Sequence, residues 1–115
     1  MKKPPIKIRP LWWLPGGFIG ITLWPFGIYF RKAAYALDEI HVIHESIHWR
    51  QQIEMLGLFF YLWYSIEWII KLFWFGRYAY HEISFEKEAY KNHHVPDYLT
   101  VRKKYAWIKY IKTNE

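Results

Sequence analysis

The sequence predicts an α+β protein, mainly α: a short N-terminal β-hairpin followed by about four helices, with the helix around His44 and His48 at its centre. Three observations lead there. Residues 11–30 carry no charge, but Pro15, Gly16, Gly17 and Pro25 interrupt them, and the Ile, Thr, Trp, Phe and Tyr between the breakers favour strands. Residues 58–75 are apolar apart from Tyr64, Glu67 and Lys71, whose spacing draws one polar stripe along a helix. Helix starts and stops punctuate the rest, at Asp38, Gly57, Ser84 and Pro96. A chain of 115 residues has room for one domain with a modest core. We divide it into a basic arm (1–10), a hairpin region (11–36) and a helical region (37–115).

In chain order, MKKPPIKIRP combines basic side chains with Pro4, Pro5 and Pro10, cannot form a regular helix, and reads as a flexible arm. The hairpin is expected to turn at Trp24-Pro25-Phe26-Gly27. The basic start, the apolar run and Ala34-Tyr35-Ala36 have the outline of a secretory signal. Arg31 and Lys32 fall where a cleavage region should be uncharged, so none is expected. Asp38 is suited to cap a helix from Glu39 to about Met55, which Gly57 ends. The second helix, 58–75, could nearly span a bilayer. Glu67 and Lys71 near its middle make a lone span costly, so the expectation is a helix packed on the first, its outer side in a membrane interface. After a turn at Gly76-Arg77, Ser84 is the expected N-cap of a third helix from Phe85 to about Asn92, closed by His93-His94-Val95-Pro96. A last helix, Asp97 to about Ile111, carries Arg102, Lys103, Lys104 and Lys109, with Lys112 just beyond, among Tyr98, Tyr105, Trp107 and Tyr110. It suits either a solvated amphipathic face or attachment to anionic lipid.

Composition narrows the function classes. Eight Trp, ten Tyr and eight Phe are more aromatic surface than one small domain can bury, so part of it should face a partner or a lipid interface. The net charge of +6 alone would allow nucleic acid. There is no glycine-clamped loop, recognition helix or finger spacing, and none is expected as a partner. A basic chain rich in Trp and Tyr fits an anionic membrane surface better, with the cytoplasmic face favoured. Cysteine is absent, so disulfides and thiolate sites are excluded and any metal must be held by His and carboxylate.

The chemistry-bearing stretch is HESIHWRQQ, residues 44–52. On a helix His44 and His48 stand one turn apart on one face and can converge on one ion. Glu45, one residue beyond the first ligand, sits beside the metal and can take a proton from a metal-bound water. His41 extends the same face by a further turn. A solvated helix whose His and Glu merely face water is the plain alternative. A catalytic zinc takes three protein ligands. Glu67 is one candidate for the third, because an antiparallel hairpin about Gly57 would bring it level with His48. An internal pair with Lys71 is the simpler use of Glu67. His41, His81, His93 and His94 are weaker options.

His44-Glu45-Ser46-Ile47-His48 is the HExxH signature of the zincin metallopeptidases, and the chain resembles their glutamate-liganded (gluzincin-like) branch. In that branch the third ligand stands in a Glu-x-x-Ala-Asp stretch, which Glu86-Lys87-Glu88-Ala89-Tyr90 resembles. The resemblance therefore implies Glu86 as the third zinc ligand, ahead of Glu67. Tyr90 stands where the pattern has the Asp that holds a ligating His, and it can supply a hydroxyl to a ligand or to a developing oxyanion instead. With the aromatic helix included, roughly residues 20–110 look like a group of small, membrane-associated bacterial metallopeptidases of unassigned function. The resemblance implies Zn2+ on His44, His48 and Glu86, and peptide-bond hydrolysis by a zinc-activated water with Glu45 as general base, at a membrane surface. The hairpin would offer an edge strand to a peptide or protein substrate. The alternative is a non-catalytic membrane-surface module with a structural or degenerate metal site.

Overall fold

The computed structural model describes residues 3–14 and 18–111. It opens with three strands, β1 (Ile6–Ile8), β2 (Gly20–Leu23) and β3 (Gly27–Phe30), in the order β1-β3-β2. The predicted hairpin is β2 with β3, antiparallel from Gly20↔Phe30 to Leu23↔Gly27, and it turns at the expected residues. The arm is a correction: Ile6–Ile8 forms a strand parallel to β3, paired with Ile28, Tyr29 and Phe30. Two β-branched residues suffice there, and the prolines flank the strand, where a missing N–H breaks no ladder. Gly27 permits the close approach. A Cβ on it would stand 2.7 Å from the Pro5 carbonyl oxygen, which accepts the Ile28 N–H at 2.8 Å. The expected interruptions at Pro15, Gly16 and Gly17 lie outside the described residues, as do Met1 and Lys2 of the arm and Lys112.

Helices follow: α1 (Ala33–Ala36), α2 (Glu39–Glu54), α3 (Leu58–Phe75), α4 (Ala79–Glu82), α5 (Ser84–Asn92) and α6 (Tyr98–Val101), with 3-10 turns at Gly76–Tyr78 and Ala106–Tyr110. Asp38 caps α2 as expected, its carboxylate accepting the Ile40 N–H at 3.0 Å. Gly57, at φ +71, carries the reversal into α3 in a conformation that L side chains rarely adopt. The core sits between α3, α5 and the C-terminal turn, where Phe60, Ile83, Phe85 and Trp107 are buried together. A smaller cluster of Ile43, Ile47 and Ala89 joins α2 to α5.

Two helix expectations are corrected. Ser84 is not the N-cap of α5. Ile83 holds that position, and the Ser84 N–H and hydroxyl each donate to Glu67 at 2.6 Å. A carboxylate from α3 thus satisfies the first turn of α5 from outside, where the exposed N–H groups favour negative charge. The single C-terminal helix over 97–111 is also not formed. It stops at Val101, because Arg102 takes an extended backbone and its side chain turns inward. The guanidinium donates to Glu54 at 2.7 and 3.1 Å and to Glu88 at 2.6 and 3.1 Å, tying α2 to α5.

α3 has two unlike faces. Phe60, Glu67 and Lys71 are buried, with the Lys71 ammonium 3.1 Å from the Glu67 carboxylate, the internal pair that sequence reasoning allowed. The opposite side leaves Leu62, Ile66, Ile69 and Phe73 exposed. By length and composition this helix is apolar enough to cross a membrane.

Arg102 ties the C-terminal segment to the helices of the site, and its side chain is only 2% exposed. Replacing it with Ala leaves the buried Glu88 and the half-buried Glu54 without their cation, so Arg102→Ala should lower the unfolding free energy by about 3–5 kcal/mol. Urea unfolding followed by tryptophan fluorescence measures this. A loss below about 1 kcal/mol would mean that the tie is solvated, as surface ion pairs are.

Candidate metal centre

α2 stacks His44 over His48, ring centroids 4.9 Å apart, and α5 lowers Glu86 onto both. Glu86 Oε1 lies 3.2 Å from His44 Nε2 and 3.1 Å from His48 Nε2. All three residues are buried, and their donor atoms lie within 4.8 Å of one another. An ion held tetrahedrally at about 2.0–2.2 Å by imidazole and carboxylate needs its donors about 3.3–3.6 Å apart. The donor set is therefore almost at coordination spacing, and His44, His48 and Glu86 form a buried group able to hold a metal ion. Glu67, the competing candidate, spends its carboxylate on Ser84, Lys71 and the Trp63 indole N–H.

Charge runs the same way. Burial opposes the imidazolium form of His48, but the Glu86 carboxylate beside it outweighs that and pushes its pKa up to about 9. Burial would equally raise the Glu86 carboxyl, yet the two imidazoles hold it well below the usual carboxylate range. The pocket thus favours an anionic Glu86 facing a positive charge, which is what a bound cation requires.

The outer faces of the ligands are held as well. With hydrogen on Nδ1, His48 donates to Gln51 Oε1 at 2.7 Å. The Gln51 amide in turn donates to Glu88 at 2.9 Å and to the Phe85 carbonyl at 3.0 Å. Glu88 is fully buried and is itself fixed by Arg102 and by the Tyr98 hydroxyl at 2.6 Å. His44 Nδ1 lies 2.9 Å from His93 Nδ1. Burial, aided by the positive potential of His44, His94 and His41, lowers the His93 pKa to about 4, so it is neutral at pH 7 and can accept. The Tyr64 hydroxyl donates to Glu86 Oε2 at 2.7 Å, and burial followed by the Glu86 charge keeps that phenol protonated. Such contacts set ring orientation and point each Nε2 at Glu86, where an ion would take the place of the Nε2 protons.

Glu45 stands beside the ligand group without joining it. Its Oε1 lies 2.8 Å from the Thr22 hydroxyl, which also reaches the Glu45 carbonyl at 2.9 Å, so β2 positions the side chain. Glu45, His48 and Glu86 line one cavity of about 270 Å³. No family model, curated protein or solved structure matches this chain.

The structure brings His44, Glu45, His48 and Glu86 together. Tyr90 packs its ring edge-on against His44 at 4.6 Å, while its hydroxyl pairs with Tyr80. The work expected of an Asp at that position falls to His93 and to the Gln51–Glu88 relay. His41 lies 3.1 Å from Asp38, and His81 packs on Tyr90. Sequence reasoning missed Thr22, Gln51 and Tyr64 as supports. Gln51 had a signal, since it stands three residues after His48 on the same buried helix face.

Removing an outer support should loosen the ion without removing a ligand. Gln51→Leu and His93→Ala are each expected to weaken metal affinity by about 10- to 100-fold. Competition against a chromophoric chelator measures this. Wild-type affinity in both variants would mean that the supports do not act on the ligands.

Proposed function

We propose that this protein is a zinc-dependent peptidase working at a membrane surface. The observation that carries the reading is the division of labour on one helix turn. His44 and His48 converge with Glu86, while Glu45 is tied back to Thr22 and lines the same cavity. A set of two imidazoles and one carboxylate, in a chain without cysteine, suits zinc with an open position. When bound, zinc would lower the pKa of water and polarise a carbonyl beside it.

The chain's own residues supply the rest. Glu45 accepts one proton from the attacking water as the new C–O bond forms, and returns it to the amine as the C–N bond breaks. Thr22 fixes which carboxylate oxygen is occupied. Tyr64 holds the second oxygen of Glu86. β2 is an edge strand of the sheet and runs beside Glu45, placed for an extended peptide to add as a further strand. At its Trp24 end that edge is already covered: Gln52 accepts the Trp24 N–H, while Gln52 and Tyr61 donate to the Thr22 carbonyl. This leaves the Gly20 end for substrate. The exposed aliphatic and aromatic face of α3 is the surface we assign to the membrane interface, its Glu67 and Lys71 being turned inward.

The same α3 face favours a second reading, a membrane-surface module whose metal site is structural. Two variants test the site, and Glu45→Gln separates the readings. Purified wild type should retain one equivalent of zinc by elemental mass spectrometry, and Glu86→Ala should lose it. Glu45→Gln should keep zinc and fold but reduce peptide hydrolysis by at least about 100-fold. Wild-type hydrolysis by Glu45→Gln, or no zinc in wild type after reconstitution, would end the peptidase reading.

A further inference from the structure

The cavity beside the metal-binding group has a composition that selects what enters it. Its walls are Leu14, Phe18, Ile21, Phe60, Trp68 and Tyr80, drawn from the sheet region, from α3 and from α4. The hydroxyl and amide side chains that also reach the wall are already engaged. The Thr22 hydroxyl is held at Glu45, Gln52 bridges Trp24 and the Thr22 carbonyl, the Tyr61 hydroxyl donates to that carbonyl at 2.6 Å, and the Tyr64 hydroxyl serves Glu86. The Tyr80 hydroxyl is paired with Tyr90. The ionisable carboxylates and imidazole of the lining, Glu45, Glu86 and His48, all belong to the metal-binding end.

A group entering this space loses its water and finds the hydroxyl hydrogens and the Gln52 amide already spent, which penalises charge and rewards apolar area. The volume is about 270 Å³. An apolar cavity of about 150 Å³ already holds benzene, so the space fits an aromatic ring or a branched aliphatic side chain with a linking methylene. A second cleft of about 530 Å³ shares Phe18, Gly20, Glu45 and Tyr80 with the first but is lined by His41, His44, His81 and His93. The two hollows therefore meet at Glu45 and the Gly20 end of β2. A chain laid along that edge has one hollow on each side of the reacting group.

We propose that this cavity is the specificity pocket of the site and takes a large uncharged apolar side chain, aromatic or branched aliphatic, from the residue next to the bond being cut. The assignment rests on the peptidase reading above and names the substrate class: peptides with Phe, Leu or a residue like them beside the scissile bond, and not Asp, Lys or Gly.

The test uses the full chain loaded with zinc and a series of small hydroxamates, which chelate a metal with an open position and differ only in one side chain: hydrogen, methyl, isobutyl, benzyl, carboxymethyl and aminobutyl. Binding is measured by calorimetry and needs no turnover. Isobutyl and benzyl compounds should bind about 100-fold more tightly than the methyl compound, and the two charged compounds no better than it. Trp68→Ala, which opens the wall away from the metal ligands, should shift the optimum towards a larger ring. Equal binding across the uncharged series, or a preference for a charged side chain, overturns the pocket assignment and leaves the metal site standing. Failure of every hydroxamate to bind the zinc-loaded protein overturns both. The wild-type series decides the matter even where Trp68→Ala fails to fold.

Discussion

A carboxylate shared between two imidazoles, all three buried, is the constraint around which this small protein is built. A buried charge is tolerated only when a partner answers it, and two groups answering one carboxylate must be held at fixed spacing. Glu86 can meet His44 and His48 only if α5 lies across α2 at one height and rotation. Two other buried carboxylates set that placement. Glu67 fixes where α5 begins, by taking both donors of Ser84. Glu88, one turn further along α5's buried side, is locked through Gln51 to the same helix that carries the histidines, and through Arg102 to the C-terminal segment. The polar interior is therefore one connected set of ties, and the apolar clusters fill the space between them.

The surplus of aromatic residues finds its explanation in that arrangement. Phe60, Phe85 and Trp107 pack with tilted rings, centroids 4.4 Å and 4.6 Å apart along the series, and support α5. Tyr61, Tyr64 and Tyr80 use their rings as walls and their hydroxyls as fixed donors, so the cavity is mostly apolar at its surface and hydrogen-bonded behind it. Of the exposed rings, Phe59 and Phe73 lie outward on α3, while Trp12, Trp13 and Phe26 belong to the N-terminal region. One helix thus presents a lining inwards and a greasy exterior outwards, with its two charges neutralising each other in between.

Much of this was legible in the chain, and the reasons for what was not are physical. The hairpin, the Asp38 cap, the reversal at Gly57 and the limits of α2 and α3 depend on local chemistry, which a sequence states directly. So did the convergence of His44 and His48, since helix spacing dictates it. The strand at Ile6–Ile8 and the break at Arg102 depend on partners far along the chain: β3 for the first, Glu54 and Glu88 for the second. A basic aromatic stretch with helical spacing gives no hint that one arginine will leave the helix to reach a buried carboxylate. Ser84 shows the same limit at shorter range. It has the right side chain for a cap, but Glu67 approaches from another helix and takes its hydroxyl. The pairing of Glu86 with the histidines was legible only through the motif around it, and the supports supplied by Thr22 and His93 were legible in no local pattern.

The donors of the metal-binding group stand 38 and 42 residues apart in the chain, with all of α3 between them. Any ion held there closes that long segment into a ring. Tying two distant points removes freedom that the unfolded chain would otherwise keep, and the effect grows slowly with the length enclosed. In a chain without cysteine the ion would do the work of a covalent cross-link, and a reversible one. The chemistry of the site and the fastening of its most apolar helix would then be gained or lost together, as metal is bound or withdrawn.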